Sequence, residues 1–185
     1  MNRLHLFLYT LVLCSIFAVS GVAGDRVEVA RLTPAQQLYV VKQVYPQTQK
    51  VGILCNLKKH ANVPDRLARI SAQLGIKVFI KNTTSLIEIA RNFKHLVKHK
   101  EVDVIWVLPD EALIVPSSRK YLIKNAIMTK VFLVAPDAEM VQKGATFYAE
   151  KANEQIRLHV NRKALEILAI QLPEELHQTY EIVTR

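Results

Sequence analysis

The sequence predicts an α/β protein with a doubly wound, mainly parallel sheet and helices on both faces. From residue 50 onward, short runs of β-branched and other apolar residues alternate with longer amphipathic segments. Runs this apolar, separated by helices, are typical of parallel strands that are covered on both faces. Because no linker, repeat or low-complexity segment interrupts the pattern, one domain accounts for it.

The elements follow from local signals along the chain. Thr33 and Pro34 predict the start of a helix over residues 35–44, because threonine is a good N-cap and proline suits the first turn. Strands are predicted at residues 50–55, 76–81, 103–108, 130–135, 144–149 and 180–183. Further helices are predicted at residues 62–74, from 84 or 85 to about 97, from 117 or 118 to about 128, briefly after 137, and, as the longest, over 152–170.

The first two dozen residues have the layout of a secretory signal peptide. A short basic start ends at Arg3, residues 4–19 are almost unbroken apolar, and small residues precede the first acid, Asp25. A retained anchor helix is the alternative, but this run is shorter than the roughly 20 apolar residues that a span requires. We therefore expect cleavage of residues 1–24, a periplasmic location, and a single domain over residues 25–185.

The charge balance indicates which partners to expect. The net charge is +9, and one dense run of cations covers residues 94–100. Such a run forms either a solvated helix face or a surface that attracts an anionic partner or membrane. Export argues against a nucleic-acid partner. Cys55 is the only cysteine after residue 24, so packing rather than a disulfide must hold the fold.

Motifs of the common enzyme classes are absent from the sequence. It contains no Gly-x-Gly-x-x-Gly, Walker or Gly-x-Ser-x-Gly pattern, and we expect neither an enzyme nor a cofactor. His95 and His99 are four residues apart, but they lie on a lysine-rich side without a carboxylate, so no metal site is expected. Asp110 stands where a receiver domain carries its phosphoacceptor. However, Cys55 and Asn56 replace the acid pair that such a domain places after its first strand.

Polar residues follow most of the predicted strands. Ligands of open parallel sheets bind at the carboxyl ends of the strands, beside helix N-termini. Many of these residue types are also good helix caps, so a purely structural role is the alternative. The candidate ligand-binding residues are Asn56, Asn82, Thr83, Thr84, Asp110, Asp137 and Tyr148.

Several segments resemble a known family when they are taken in order. They include Val51-Gly-Ile-Leu-Cys-Asn56, Val102-Asp-Val-Ile-Trp-Val-Leu-Pro-Asp110 and Val131-Phe-Leu-Val-Ala-Pro-Asp137. They are similar to segments of the substrate-binding proteins of bacterial ABC transporters, in the branch related to tryptophan and tyrosine uptake. The resemblance runs from about residue 33 to 185 and covers one lobe of proteins that hold their ligand between two lobes.

The resemblance implies a periplasmic-binding-protein lobe and a function. The expected function is that of an exported single-lobe module that binds a small organic or amino-acid-like ligand for uptake or sensing. Expected partners are a membrane permease, a sensor, a second binding-protein chain or a second copy in a homodimer. The alternative is an interaction or sensor-accessory protein that kept the fold without binding a small ligand.

Overall fold

The computed structural model describes residues 29–185, so the predicted signal peptide lies outside the described residues. The strands are β1 (Val29–Arg31), β2 (Lys50–Cys55), β3 (Lys77–Asn82), β4 (Val104–Val107), β5 (Phe132–Val134), β6 (Phe147–Ala152), β7 (Gln155–Val160) and β8 (Glu181–Thr184). The helices are α1 (Pro34–Val44), α2 (Val63–Gln73), α3 (Leu86–His99), α4 (Glu111–Ile114), α5 (Pro116–Thr129), α6 (Ala138–Gln142), α7 (Arg162–Leu168) and α8 (Leu176–Thr179). Within residues 29–185, no helix has the length and apolarity needed to cross a membrane.

The strands form one mixed sheet in the order β3-β2-β4-β5-β6-β7-β8. Strands β2 to β6 are parallel, β7 runs antiparallel to β6, and β8 runs parallel to β7. Strand β6 pairs with β5 through Phe147 and with the antiparallel strand β1 through its later residues, Glu150 to Ala152. The sheet is therefore mainly parallel, as predicted, with an antiparallel hairpin at one side.

Two hydrophobic cores cover the two faces of the sheet. One core contains Leu38 of α1 and Ile53 of β2. The other contains Leu54 of β2, Phe93 of α3 and Leu122 of α5. Because successive residues of β2 point to opposite faces, its unbroken apolar run supplies both cores. This confirms the prediction of a sheet covered by helices on both sides.

The predicted helix starts and stops are largely confirmed. Thr33 forms a capping box with Gln36 at the start of α1, and the Ser85 side chain accepts the Glu88 backbone N–H at the start of α3. Gly75 follows α2 with a φ of +66°, a conformation that favours glycine. Local signals therefore predicted where α1 and α3 begin and where α2 ends.

The prediction of a long helix over residues 152–170 was wrong. Residues up to Ala152 belong to β6, the chain turns at Asn153, whose φ is +55°, and residues 155–160 form β7. The apolar residues of β7 alternate with polar ones, and its backbone pairs along the whole length of β6. Pairing with β6 therefore overrides the helix-favouring composition, and the only helix in this region is α7.

Three further elements, β1, α4 and α8, were not predicted, whereas the predicted last strand is present. Each of these three elements has only three or four residues and lacks a strong periodic signal of its own. The predicted last strand is present as β8, paired on one side with β7 and forming one edge of the sheet. Val29 pairs with Ala152 at the carboxyl end of β6. Because β8 runs in the opposite direction to β6, Arg185, which follows β8, lies at the other end of the strands.

Candidate functional site

The parallel strands bring most of the candidate residues to one edge of the sheet. Asn56 follows β2, Asn82 ends β3, Asp110 follows β4 and Asp137 follows β5. Tyr148 lies on β6, one residue after the only pairing of β6 with β5. The surroundings of these side chains differ from one strand end to the next.

Asp110 lies at the centre of a polar cluster. Only 4% of its side chain is exposed, and its Oδ2 accepts a hydrogen bond of 3.3 Å from Asn56 Nδ2. Its Oδ1 accepts the Ala112 N–H at 3.1 Å, which caps α4, and the Lys59 ammonium lies 3.4 Å from Oδ2. Lys59 also contacts Glu111 at 3.0 Å. The carboxylate is thus held at the carboxyl edge by an amide, a backbone N–H and a cation.

The residues after β3 are engaged by the protein itself. Asn82 Oδ1 accepts the Leu57 N–H at 2.9 Å, and the fully buried Thr83 hydroxyl accepts a hydrogen bond from Asn92 at 3.0 Å. The Thr84 backbone and hydroxyl both donate to one carboxylate oxygen of Glu88, at 2.7 and 2.8 Å. These two bonds hold the pKa of Glu88 below its usual value. This side of the edge is therefore a set of turn and cap contacts.

Asp137 makes a bidentate ion pair with Arg119. The two guanidinium nitrogens lie 2.9 and 2.7 Å from the two carboxylate oxygens, and 10% of the Arg119 side chain is exposed. The Arg119 Nε donates to the carbonyl of Ile114 at 2.6 Å. Asp137 Oδ1 also accepts the Met140 N–H and caps α6. Asp137 therefore ties the start of α5 to the start of α6.

Tyr148 lines a small pocket of about 60 Å³ at the carboxyl edge. Burial, and after it the nearby carboxylate of Glu150, raises the pKa of Tyr148 to about 12, so the phenol keeps its proton at neutral pH. The other residues of the pocket wall come from β1, from α1 and from the ends of β4 and β5. They include Arg31, Gln37, Trp106, Pro109 and Pro136.

The side chain of Gln37 is the unusual member of this wall. Gln37 is 5% exposed, and its Nε2 is buried without a hydrogen-bond partner. An unpaired buried amide costs roughly 1–3 kcal/mol, so such a group calls for a ligand or an ordered water. Sequence reasoning missed Gln37 because it occupies an ordinary position within α1.

A buried acid–base pair lies beside Tyr148 on the hairpin. His159 Nε2 is 2.9 Å from Glu150 Oε1, and both residues are buried. The Tyr148 and His159 rings are 5.8 Å apart, because these two residues face each other across β6 and β7. Sequence reasoning missed the pair because it placed residues 152–170 in a helix; the alternation of apolar residues from 156 to 160 was the available signal.

The family profile described as ABC transporter substrate binding protein matches residues 18–177. The chain belongs to this family. The resemblance inferred from the strand segments is therefore confirmed, and proteins of this family are binding proteins that are typically extracytoplasmic. The chain has no significant match among curated proteins.

Solved structures similar to this substrate-binding family member show the same fold. They are a conserved domain protein from Vibrio cholerae (TM-score 0.68, 17% identity), an ABC domain in complex with L-Trp from Streptococcus pneumoniae (0.65, 18%), and a ligand-free, open substrate binding protein with adhesive properties from Clostridium difficile (0.63, 18%). They cover 82%, 81% and 83% of this chain, respectively, whereas this chain spans 60% of each of theirs. At these identities, the likeness establishes the α/β lobe.

The residues at the carboxyl edge of this family member are suited to contact with a small molecule. Within residues 29–185, no group of three or more His, Cys, Asp or Glu side chains could hold a metal ion. At the carboxyl edge, the pocket has aromatic walls, and Gln37, whose amide nitrogen has no partner, lines it. The carboxylate of Asp110 comes one residue after Pro109, which lines the same pocket.

Proposed function

We propose that the chain is an exported binding module that holds a small organic or amino-acid-like ligand at the carboxyl edge of its sheet, for uptake or sensing. Membership of the substrate-binding family supports binding as the activity. The L-Trp that the Streptococcus pneumoniae neighbour carries makes an amino acid the first ligand to test.

The unpaired Nε2 of Gln37 is the observation that carries this proposal. Gln37 lines a pocket whose wall also includes Trp106 and Tyr148. Aromatic walls with a few placed polar groups are typical of small-molecule sites. In the proposed complex, the apolar part of the ligand packs on Trp106 and Tyr148, and a carboxylate or carbonyl oxygen accepts from Gln37. Arg31, which also lines the pocket, adds a positive charge for an anionic group.

The size of the pocket indicates that a second surface takes part. About 60 Å³ is far below the roughly 300–1,000 Å³ of sites that enclose a ligand. The pocket therefore contacts one side of an amino acid. We propose that another binding-protein lobe, chain or second copy covers the other side, and that a permease or sensor receives the complex.

Titration calorimetry with L-Trp, L-Tyr, L-Phe and an aliphatic amino acid tests the proposal. A saturable heat is expected for at least one ligand, and Gln37→Leu should weaken it about tenfold because one hydrogen bond of about 1.4 kcal/mol is lost. Gln73→Leu, an exposed glutamine on α2, is the matched control and should bind normally. For ligands without an indole, Trp106 fluorescence gives a second readout.

Two results would count against the binding proposal. The first is the absence of any heat up to millimolar ligand; the second is equal weakening by the Gln37 and Gln73 substitutions.

The alternative function, an interaction or sensor-accessory protein, is favoured by the engagement of Asp110 and Asp137 with protein groups. A pull-down from periplasmic extract at physiological salt tests that alternative, which fails if no protein is retained.

A further inference from the structure

We propose that the outer face of α3 and α5 docks on an anionic phospholipid surface. We call this surface the α3–α5 face. It comprises the exposed residues of α3, of the junction between α4 and α5, and of α5. This inference goes beyond ligand binding, because the strand-end pocket opens beside α1, which packs on the other face of the sheet.

Exposed apolar side chains are concentrated on this face. Ile87, at the start of α3, is 81% exposed and Met128, near the end of α5, is 68% exposed. The described residues include eight exposed large apolar side chains, of which six lie here: Leu86, Ile87, Ile114, Val115, Ile127 and Met128. A groove of about 460 Å³ with mainly apolar walls runs between Leu86 and α5. Exposed apolar surface on this scale marks an interaction site.

The charge of the same face is strongly positive. On α3, an exposed stripe continues from Ile87 to Lys94 and Lys98, at helical spacing. On α5, Lys120 and Lys124 are exposed one turn apart, between the 460 Å³ groove and a second groove of about 320 Å³. Residues 112–136 contain no Asp or Glu, and Glu88 is the only acid in α3. Among the described residues, none of these four lysines has an acidic partner within ion-pair distance.

The composition favours lipid over protein as the occupant. Protein interfaces are depleted in lysine and enriched in Trp, Tyr and Arg at their centres. On the α3–α5 face, by contrast, lysines stand beside the exposed aliphatic side chains. Lysine ammonium groups reach phosphate oxygens while their stems lie on apolar surface, and aliphatic side chains enter the acyl boundary. Together these contacts give the two attractions that peripheral membrane binding requires.

Flotation with vesicles tests the charge contribution. The protein should bind vesicles of phosphatidylcholine mixed with phosphatidylglycerol, and it should bind vesicles of phosphatidylcholine alone much more weakly. Added salt should release the bound protein. The double substitution Lys120→Ala/Lys124→Ala should lower the partition coefficient roughly thirty-fold. Arg66→Ala/Arg69→Ala, on exposed residues of α2, removes the same charge from the opposite face and should have a much smaller effect.

A site-specific probe tests the contact itself. An environment-sensitive fluorophore is attached at Met128→Cys in a Cys14→Ser background, in which the remaining Cys55 is buried. Its emission should shift to the blue with anionic vesicles, and the same probe at Arg69→Cys should not respond. An unshifted Met128 probe, an equal response at both positions, or equal losses for the two double substitutions would overturn the proposal. Circular dichroism confirms that each variant is folded.

Discussion

The ion pair between Arg119 and Asp137 allows one prediction to be worked out in detail. Substituting Asp137 by alanine removes the two carboxylate oxygens that accept hydrogen bonds from a guanidinium that is almost entirely buried. It also removes the oxygen that caps α6. The predicted result is a large loss of stability, with the fold retained.

The magnitude follows from the two contacts. Breaking a fully buried ion pair costs roughly 3–5 kcal/mol, but Asp137 is 35% exposed, so about 2 kcal/mol is the appropriate figure here. Loss of a cap costs about 1 kcal/mol more. The free energy of unfolding should therefore fall by about 3 kcal/mol, a large share of the roughly 5–15 kcal/mol of a typical domain. For a domain of this size the melting temperature should fall by roughly 6–12 °C.

Urea denaturation followed by circular dichroism measures this change. Asp137→Asn keeps a capping oxygen and should lose less stability than Asp137→Ala. Glu139→Ala is the control, because its carboxylate also approaches Arg119, at 3.4 Å, but is mostly exposed and should contribute little. If Asp137→Ala is as stable as Glu139→Ala, the ion pair does not stabilise the contact between α5 and α6.

Three further predictions concern other parts of the fold. A Cβ at Gly52 would lie 2.9 Å from Leu96 Cδ1, so Gly52→Ala should lower the free energy of unfolding by about 1–3 kcal/mol in urea titrations, and an unchanged value would contradict the close packing. The pKa of Tyr148 is raised from 10.0 to about 12, so the folded chain keeps a proton that the unfolded chain loses. Stability should therefore fall as the pH rises from about 10 to 12, and Tyr148→Phe should show a smaller fall in the same titration. Ala169 has a φ of +54°, so Ala169→Gly should raise the melting temperature, whereas Ala68→Gly within α2 should lower it; the opposite order would contradict the left-handed cap.

The parallel part of the sheet was predictable because its signals are local. The run from Lys50 to Cys55 is apolar and is followed by polar residues, and the observed strand has the predicted limits. Likewise, Thr33 and Ser85 cap the helices that they were expected to cap. Strand order and the edge at which Asn56 and Asp110 meet then follow from the geometry of parallel strands.

The hairpin and the pocket wall were not predicted. Residues 155–160 favour a helix by composition, whereas their alternation of apolar and polar residues fits the strand that pairs with β6. Strand β1 has three residues and exists because β6 offers it a partner. Gln37 becomes a candidate ligand-binding residue only when its amide is seen to be buried without a partner. Strand β1 and the pocket wall depend on contacts between segments that are distant in the sequence, whereas the hairpin depends on the pairing of two adjacent segments.

The opposite positions of Val29 and Arg185 determine how the chain can be attached to another body. Val29 lies at the carboxyl edge of the sheet, and Arg31, two residues later, lines the strand-end pocket. Arg185 lies at the opposite end of the strands, where its N–H donates to the carbonyl of Val160 at the end of β7. A sensor chip, dye or fusion partner joined at Arg185 would leave the pocket open to solution. Joined at Val29, the same body would stand beside the pocket entrance and hinder access to it.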